Sequence, residues 1–211
     1  MRIIVHSTEK ARQELLQGGL QPGADIKYVA SIADFSEHKG ADAYIDLSFK
    51  NGEKEIGLLK ELEGLVIINS ITHTLAEIHA SFVRINAWPG FLGSIVEASC
   101  LQEELKEKTE SLFEQFNKKV EWLPDEPGFI TPRVISMIVN EAYFALEEGI
   151  STRAEIDEAM KLGTAYPFGP FEWALNIGVE NIVSLLTRLS NEKSQYKPAA
   201  LLVQQASPGN S

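Results

Sequence analysis

Pro127-Gly-Phe-Ile-Thr-Pro-Arg133 and Pro167-Phe-Gly-Pro-Phe-Glu172 bracket the stretch whose reading decides the fold. Between them stand Asn140-Glu-Ala142, Leu146-Glu-Glu-Gly149 and Thr152-Arg-Ala-Glu155. Thr131 can cap a helix with Pro132 at its first position, where a missing N–H costs nothing, and Gly149 supplies the stop. Val134, Ile135, Ile138, Val139, Ala142, Ala145 and Leu146 recur at helical spacing and give that helix one apolar face. Thr152 and Glu155 form a capping box for a second helix, which carries Ile156, Ala159 and Met160 inward and ends near Gly163. Another helical piece covers 171–175, and beyond it Ile182, Val183, Leu185, Leu186 and Leu189 make a further apolar stripe. No strand candidate interrupts this part of the chain.

Upstream, the pattern is different. A short apolar run at 2–6 is followed directly by a helix-favouring stretch at 9–17, with Ser7 or Thr8 as its cap. Strand candidates recur at 26–30, 43–47, 64–68 and 82–87, then as an apolar piece at 94–98 and at 119–123. Helix candidates at 54–62, 75–80 and 102–116 alternate with them, and a polar, helix-compatible stretch spans 34–39. Such alternation predicts a mostly parallel sheet covered on both faces. The expected architecture is α/β then all-α, with domains at 1–123 and 124–206 and a disordered tail at 207–211.

A formal charge of −11, from 30 acidic and 19 basic residues, works against nucleic acid and anionic membrane as partners. No apolar run is long enough to span a bilayer, and Met1-Arg-Ile-Ile-Val-His6 lacks the apolar core of a signal peptide. Cys100 is the only cysteine, so no internal disulfide is possible, and a cytoplasmic location is expected.

The segment Pro127-Gly-Phe-Ile130, Arg133, Asn140-Glu-Ala142, Leu146-Glu-Glu-Gly149, Asp157, Ala159-Met160, Gly163, Pro167 and Gly169-Pro-Phe-Glu172 resembles the C-terminal domain of the 3-hydroxyacyl-CoA dehydrogenase family. Tyr196-Lys-Pro-Ala-Ala-Leu-Leu202 is similar to that family's closing segment. The resemblance implies an N-terminal Rossmann-like domain binding NAD, here shortened. It also implies an acyl-CoA thioester as ligand and a homodimer formed through the helical domain. In the family a His–Glu pair handles the hydroxyl proton, the His as base and the carboxylate orienting it.

Against that pattern the chemistry is poorly kept. The first turn should carry G-x-G-x-x-G, whose glycines let the backbone approach a diphosphate. The sequence there is His6-Ser-Thr-Glu-Lys-Ala-Arg12, with Ser7, Glu9 and Arg12 in the glycine places and no ribose-binding acid at Val29-Ala-Ser31. His6 reads as a capping or packing residue. Glu97 matches the catalytic Glu by its context, and counting back the family spacing reaches Ile85, with Asn86 one residue on. Neither side chain accepts a proton. Family asparagines fall on Trp88 and Pro132, whereas the Asn69-Ser-Ile-Thr72 turn keeps its hydroxyls. The candidate site residues are therefore Glu97 and Thr72 as catalytic, with Asn69 and His73 as substrate-binding; NAD is implied by the family although its fingerprint is absent, and no metal is expected.

Three readings follow. One is a catalytically degenerate relative that keeps the fold to bind a ligand or partner. Another is an active dehydrogenase or related acyl-CoA enzyme with a rearranged site and His73 or His79 as base. The last is a structural subunit of a fatty-acid-oxidation assembly.

Overall fold

Ile3, Ile4 and Val5 are fully buried, so strand β1 (Arg2–His6) is apolar on both faces because both faces are covered. In the computed structural model, which describes residues 1–207, the chain divides into two compact units, Met1–Phe129 and a second that begins at Ile130. The tail expected from 207 lies, from residue 208 onward, outside the described residues.

The first unit is a seven-stranded sheet in the order β2-β1-β3-β4-β5-β6-β7. Its other strands are β2 (Asp25–Val29), β3 (Ala43–Asp46), β4 (Leu65–Asn69), β5 (Val83–Ile85), β6 (Ile95–Cys100) and β7 (Lys119–Trp122). The first five are parallel, β6 is antiparallel to β5, and β7 is parallel to β6. The mostly parallel sheet is as expected; the reversal at β6 is an addition. The link from Ile85 to Ile95 is too short for a parallel crossover, which needs about a dozen residues or more.

Helices α1 (Glu9–Leu16) and α4 (Glu104–Glu114) belong to one face, where Leu15, Leu112, Phe113 and nearby Phe116 pack with Ile3, Val5, Ile45, Ile67, Ile85, Val96 and Ala98. On the other face α2 (Glu53–Lys60), the short α3 (Leu75–Ile78) and a 3₁₀ turn at Ile32–His38 bring Leu59, Leu75, Ile78 and Phe35 against Ile4, Tyr44, Val66 and Ile68. Thr8 is the cap of α1, its hydroxyl accepting from Ala11 N–H at 3.3 Å. Lys118 is buried, and its ammonium donates to the carbonyls of Glu14, Leu92 and Gly93 at 2.8–3.0 Å. Burial pushes its pKa down.

The second unit contains α5 (Thr131–Glu147), α6 (Arg153–Thr164), α7 (Pro170–Ile177), α8 (Val179–Ser190) and α9 (Ala200–Ala206). Thr131 is the first helical residue of α5 rather than its cap, which places Pro132 second; Ile130 precedes them and offers no side-chain acceptor. Gly149, at φ 68°, does close the helix, its N–H reaching Leu146. The inward stripe is also rotated from the predicted one. Val134 is 50% exposed, and Ser136, Asn140 and Tyr143 join Ile135, Val139 and Ala142 inside. Asn140 and Tyr143 are tolerated there because they find partners. Asn140 donates to the Lys197 carbonyl and accepts from Ala199 N–H, and Tyr143 donates to Gln205 at 2.6 Å.

Helix α6 departs further: its capping box forms, yet Ala159 is exposed and Ile156 and Met160 are only half-buried. It is held by polar contacts instead, Lys161 to Glu172 at 2.6 Å and Asp157 to the Phe171 N–H at 2.8 Å. The stripe of α8 is as predicted for Ile182, Leu185, Leu186 and Leu189, with Val183 half-buried.

Candidate functional site

Residues just past β5 and on the adjoining β6 bring two polar side chains together, and a third stands at the carboxyl end of β4. Alternation along a strand sends successive residues to opposite faces. Ile85 therefore packs with Val96 and Ala98 on the α1/α4 face, fully buried, while Glu97 points to the other side. Asn86 follows β5 on Glu97's side, and its amide donates to Glu97 Oε2 at 2.9 Å. Both are nearly excluded from water, at 1% and 9% exposure. The backbone fixes the pair, since Asn86 N–H donates to the Glu97 carbonyl and Asn86 Oδ1 accepts from Trp88 N–H. The side chain that meets Glu97 is thus Asn86, and Ile85 faces away. Strand parity, applied to the sequence, would have chosen between them.

Asn69, at the end of β4, donates to the Leu47 carbonyl and accepts from Ala87 N–H at 3.0 Å. It braces the ends of three strands. The following turn holds Ser70, whose hydroxyl donates to the His73 carbonyl, a half-buried Thr72 and an exposed His73. His79 is bound elsewhere, with Nδ1 2.7 Å from Ser81 and its ring against Phe82; burial, then the charge of Lys60, lowers its pKa.

Beneath this turn lies a group the sequence reading missed. Arg84, on β5, is fully buried, and its Nε donates to Asp125 at 2.6 Å. Its other nitrogens donate to the carbonyls of Ser70 and Glu126, and its guanidinium lies 4.2 Å over the Phe129 ring. Asp125 in turn accepts from the N–H groups of Leu75 and Ala76 and so caps α3. A single buried cation thereby holds the Asn69–Thr72 turn, the start of α3 and the Asp125–Phe129 segment in register.

At β1 the turn carries no glycine. The Thr8 hydroxyl takes the N–H of Ala11, Glu9 opens α1, and the Arg12 guanidinium lies 3.7 Å over Tyr28 and 3.9 Å from Glu9. His6 is paired with Asp46 at 2.8 Å. A groove of about 790 Å³ opens at the amino ends of β1, β3 and β4, by Met1, Ala43, Leu65 and Leu112, away from all these residues. Cys100 is half-buried and burial raises its thiol pKa, the reverse of nucleophile activation.

Residues 128–210 match the model of the 3-hydroxyacyl-CoA dehydrogenase C-terminal domain. The 3-hydroxyadipyl-CoA dehydrogenase of Escherichia coli K12 is 30% identical over 160 residues, which are 73% of this chain and 34% of that protein. A 3-hydroxybutyryl-CoA dehydrogenase of Clostridioides difficile is 27% identical over 192 residues, 83% of this chain and 68% of that one. The chain thus spans only about a third of the length of the first of these relatives. The crystal structure of (S)-3-hydroxybutyryl-CoA dehydrogenase from Ralstonia eutropha shares the fold, with a TM-score of 0.74 over 97% of this chain and 92% of that one at 20% identity. A Rossmann-like unit followed by a helical unit is therefore the class of protein in hand. The helical part of the chain, residues 128–210, is matched by the C-terminal domain of the 3-hydroxyacyl-CoA dehydrogenase family.

Proposed function

We propose that this chain is a catalytically degenerate member of the family that keeps the fold to bind a ligand, with an acyl-CoA thioester as the candidate. The observation that carries this reading is the Asn86–Glu97 pair. An amide has no basic nitrogen, so a carboxylate that would orient a histidine base here holds a group unable to take the hydroxyl proton. The two other candidate bases do not restore it: His79 is committed to Ser81 and Phe82, and His73 is exposed on its turn.

The first turn also does not fit NAD. Without glycines the backbone has side chains where a diphosphate would approach, and Glu9 adds negative charge there. No step of a reaction is therefore routed through that cofactor. Thr72 and Asn69 remain as ligand contacts within this reading. A homodimer formed through the helical unit belongs to it as well, supported by the exposed apolar side chains Ile150, Leu162 and Leu175, at 71%, 80% and 74%. A cytoplasmic setting rests on the free Cys100. None of the helices among the described residues is long and apolar enough to cross a membrane.

Calorimetric titration with acetoacetyl-CoA and with NADH tests the proposal. Saturable binding of the thioester, no binding of NADH and no turnover of the two together are expected. Oxidation of NADH dependent on acetoacetyl-CoA would overturn the reading, and sedimentation as a monomer would remove the dimer from it.

A further inference from the structure

Away from Glu97, one pair of titratable side chains stands where a doubly wound sheet takes its ligands. From β1 the chain passes first to β2 on one side and then across to β3 on the other. Connections that diverge in this way leave a crevice at the carboxyl ends of the two central strands. His6 ends β1 and Asp46 ends β3, and they are register partners.

Their side chains meet at that point, His6 Nδ1 lying 2.8 Å from Asp46 Oδ1. Asp46 is only 1% exposed, and its Oδ1 also accepts from the Ser48 N–H at 3.0 Å. Burial raises this carboxyl's pKa, a rise that the His6 and Ser48 contacts offset only in part. A carboxylate held so fixes the neutral imidazole as its Nδ1–H tautomer, which leaves Nε2 a hydrogen-bond acceptor. The His6 side chain is 21% exposed, and Nε2 has no protein partner among the described residues. The pair therefore holds one basic nitrogen oriented and open.

The surrounding charges select what that nitrogen can receive. Asp46 and the nearby Glu55 are acidic, and Glu9 opens the adjoining helix. Arg12 is drawn aside by Tyr28 and Glu9. An anion meets like charge here, whereas a neutral hydroxyl supplies the donor that Nε2 lacks.

We propose that His6 and Asp46 form a proton-accepting site, in the crevice at the carboxyl ends of β1 and β3, for a hydroxyl group on an uncharged alcohol or sugar ligand. The hydroxyl donates to Nε2. If its proton transfers, it goes to that nitrogen, and the imidazolium formed is balanced by the Asp46 carboxylate. The site goes beyond the reading given above and rests on one part of it, that the crevice does not hold a dinucleotide.

Long-range proton–nitrogen correlation spectra of the labelled full chain test the site, with adenosine as an uncharged hydroxyl probe. ADP is its matched anionic counterpart and NADH a separate control. The free protein should show His6 as the Nδ1–H tautomer, and adenosine should shift its Nε2 resonance saturably, with ADP at least about tenfold weaker. His6→Gln should abolish binding of adenosine while the variant still unfolds cooperatively, and Asp46→Asn should lose the tautomer and weaken the binding. An Nε2 resonance unmoved by adenosine up to its solubility limit overturns the site, as does ADP binding tighter than adenosine. Tight NADH binding with a shift at His6 instead overturns the degenerate-cofactor reading, so the two failures are told apart.

Discussion

Arg84 shows how one side chain can outrank its surroundings. A guanidinium with no exposure is tolerable only if its charge and donors are matched, and Asp125 with two carbonyls does so. Asp125→Ala leaves the cation buried and takes the acceptor from the Leu75 and Ala76 N–H groups at the start of α3. The expected cost is about 3–5 kcal/mol, read as a lower urea midpoint with the slope unchanged. Asn86 teaches a related lesson at the candidate site. Residue counting along a family pattern reached Ile85, but the face a residue presents is set by parity, and parity couples Asn86 to Glu97. The Arg84–Asp125 pair was not legible at all, because its members are 41 residues apart and neither belongs to a local pattern.

Among the elements, α6 was placed correctly and its inward face misjudged. Apolar spacing was visible; what was not visible is that Lys161, Asp157 and Gly169 do the holding. A methyl group on Gly169 would collide with the Asp157 carboxylate, so Gly169→Ala should destabilise the second unit by about 1–3 kcal/mol. Gly163 has open space around it in the same helix, and Gly163→Ala should stabilise by about 0.5–1 kcal/mol. Thermal melts of the two variants should move in opposite directions. At the start of α6, hydrogen bonds from Ser151 and then Thr152 pull the Glu155 carboxyl from 4.5 down to about 2. A depressed acid contributes stability that is complete above its ordinary value and lost as pH falls through the folded one. Carboxyl carbon shifts should therefore show Glu155 titrating near pH 2, with the amides of this turn loosening between pH 4.5 and 2 and not above. The capping box itself was readable from Thr152 and Glu155, since it needs only local chain.

For the whole molecule, the alternation of strand and helix was enough to predict an α/β unit and then a helical one. The antiparallel β6 followed from loop length but needed the strand ends to be known first. The site was harder to read, since Asn86–Glu97 and His6–Asp46 are made by strands adjacent in space, and adjacency is decided by topology. Asp46 did leave a trace, as an acid closing an apolar strand.

The buried Arg84 also decides where the chain can be cut. A fragment ending at residue 123 would bury a cation and discard its counter-charge Asp125, the Glu126 carbonyl it binds and the Phe129 ring beneath it. A fragment ending at 129 would keep them all. The longer piece should be soluble and melt cooperatively, the shorter should be degraded when expressed, and limited proteolysis of the intact chain should spare Asp125–Phe129. The last residues of the first unit are thus its closing stitch, inherited with the sheet and not with the helices that follow.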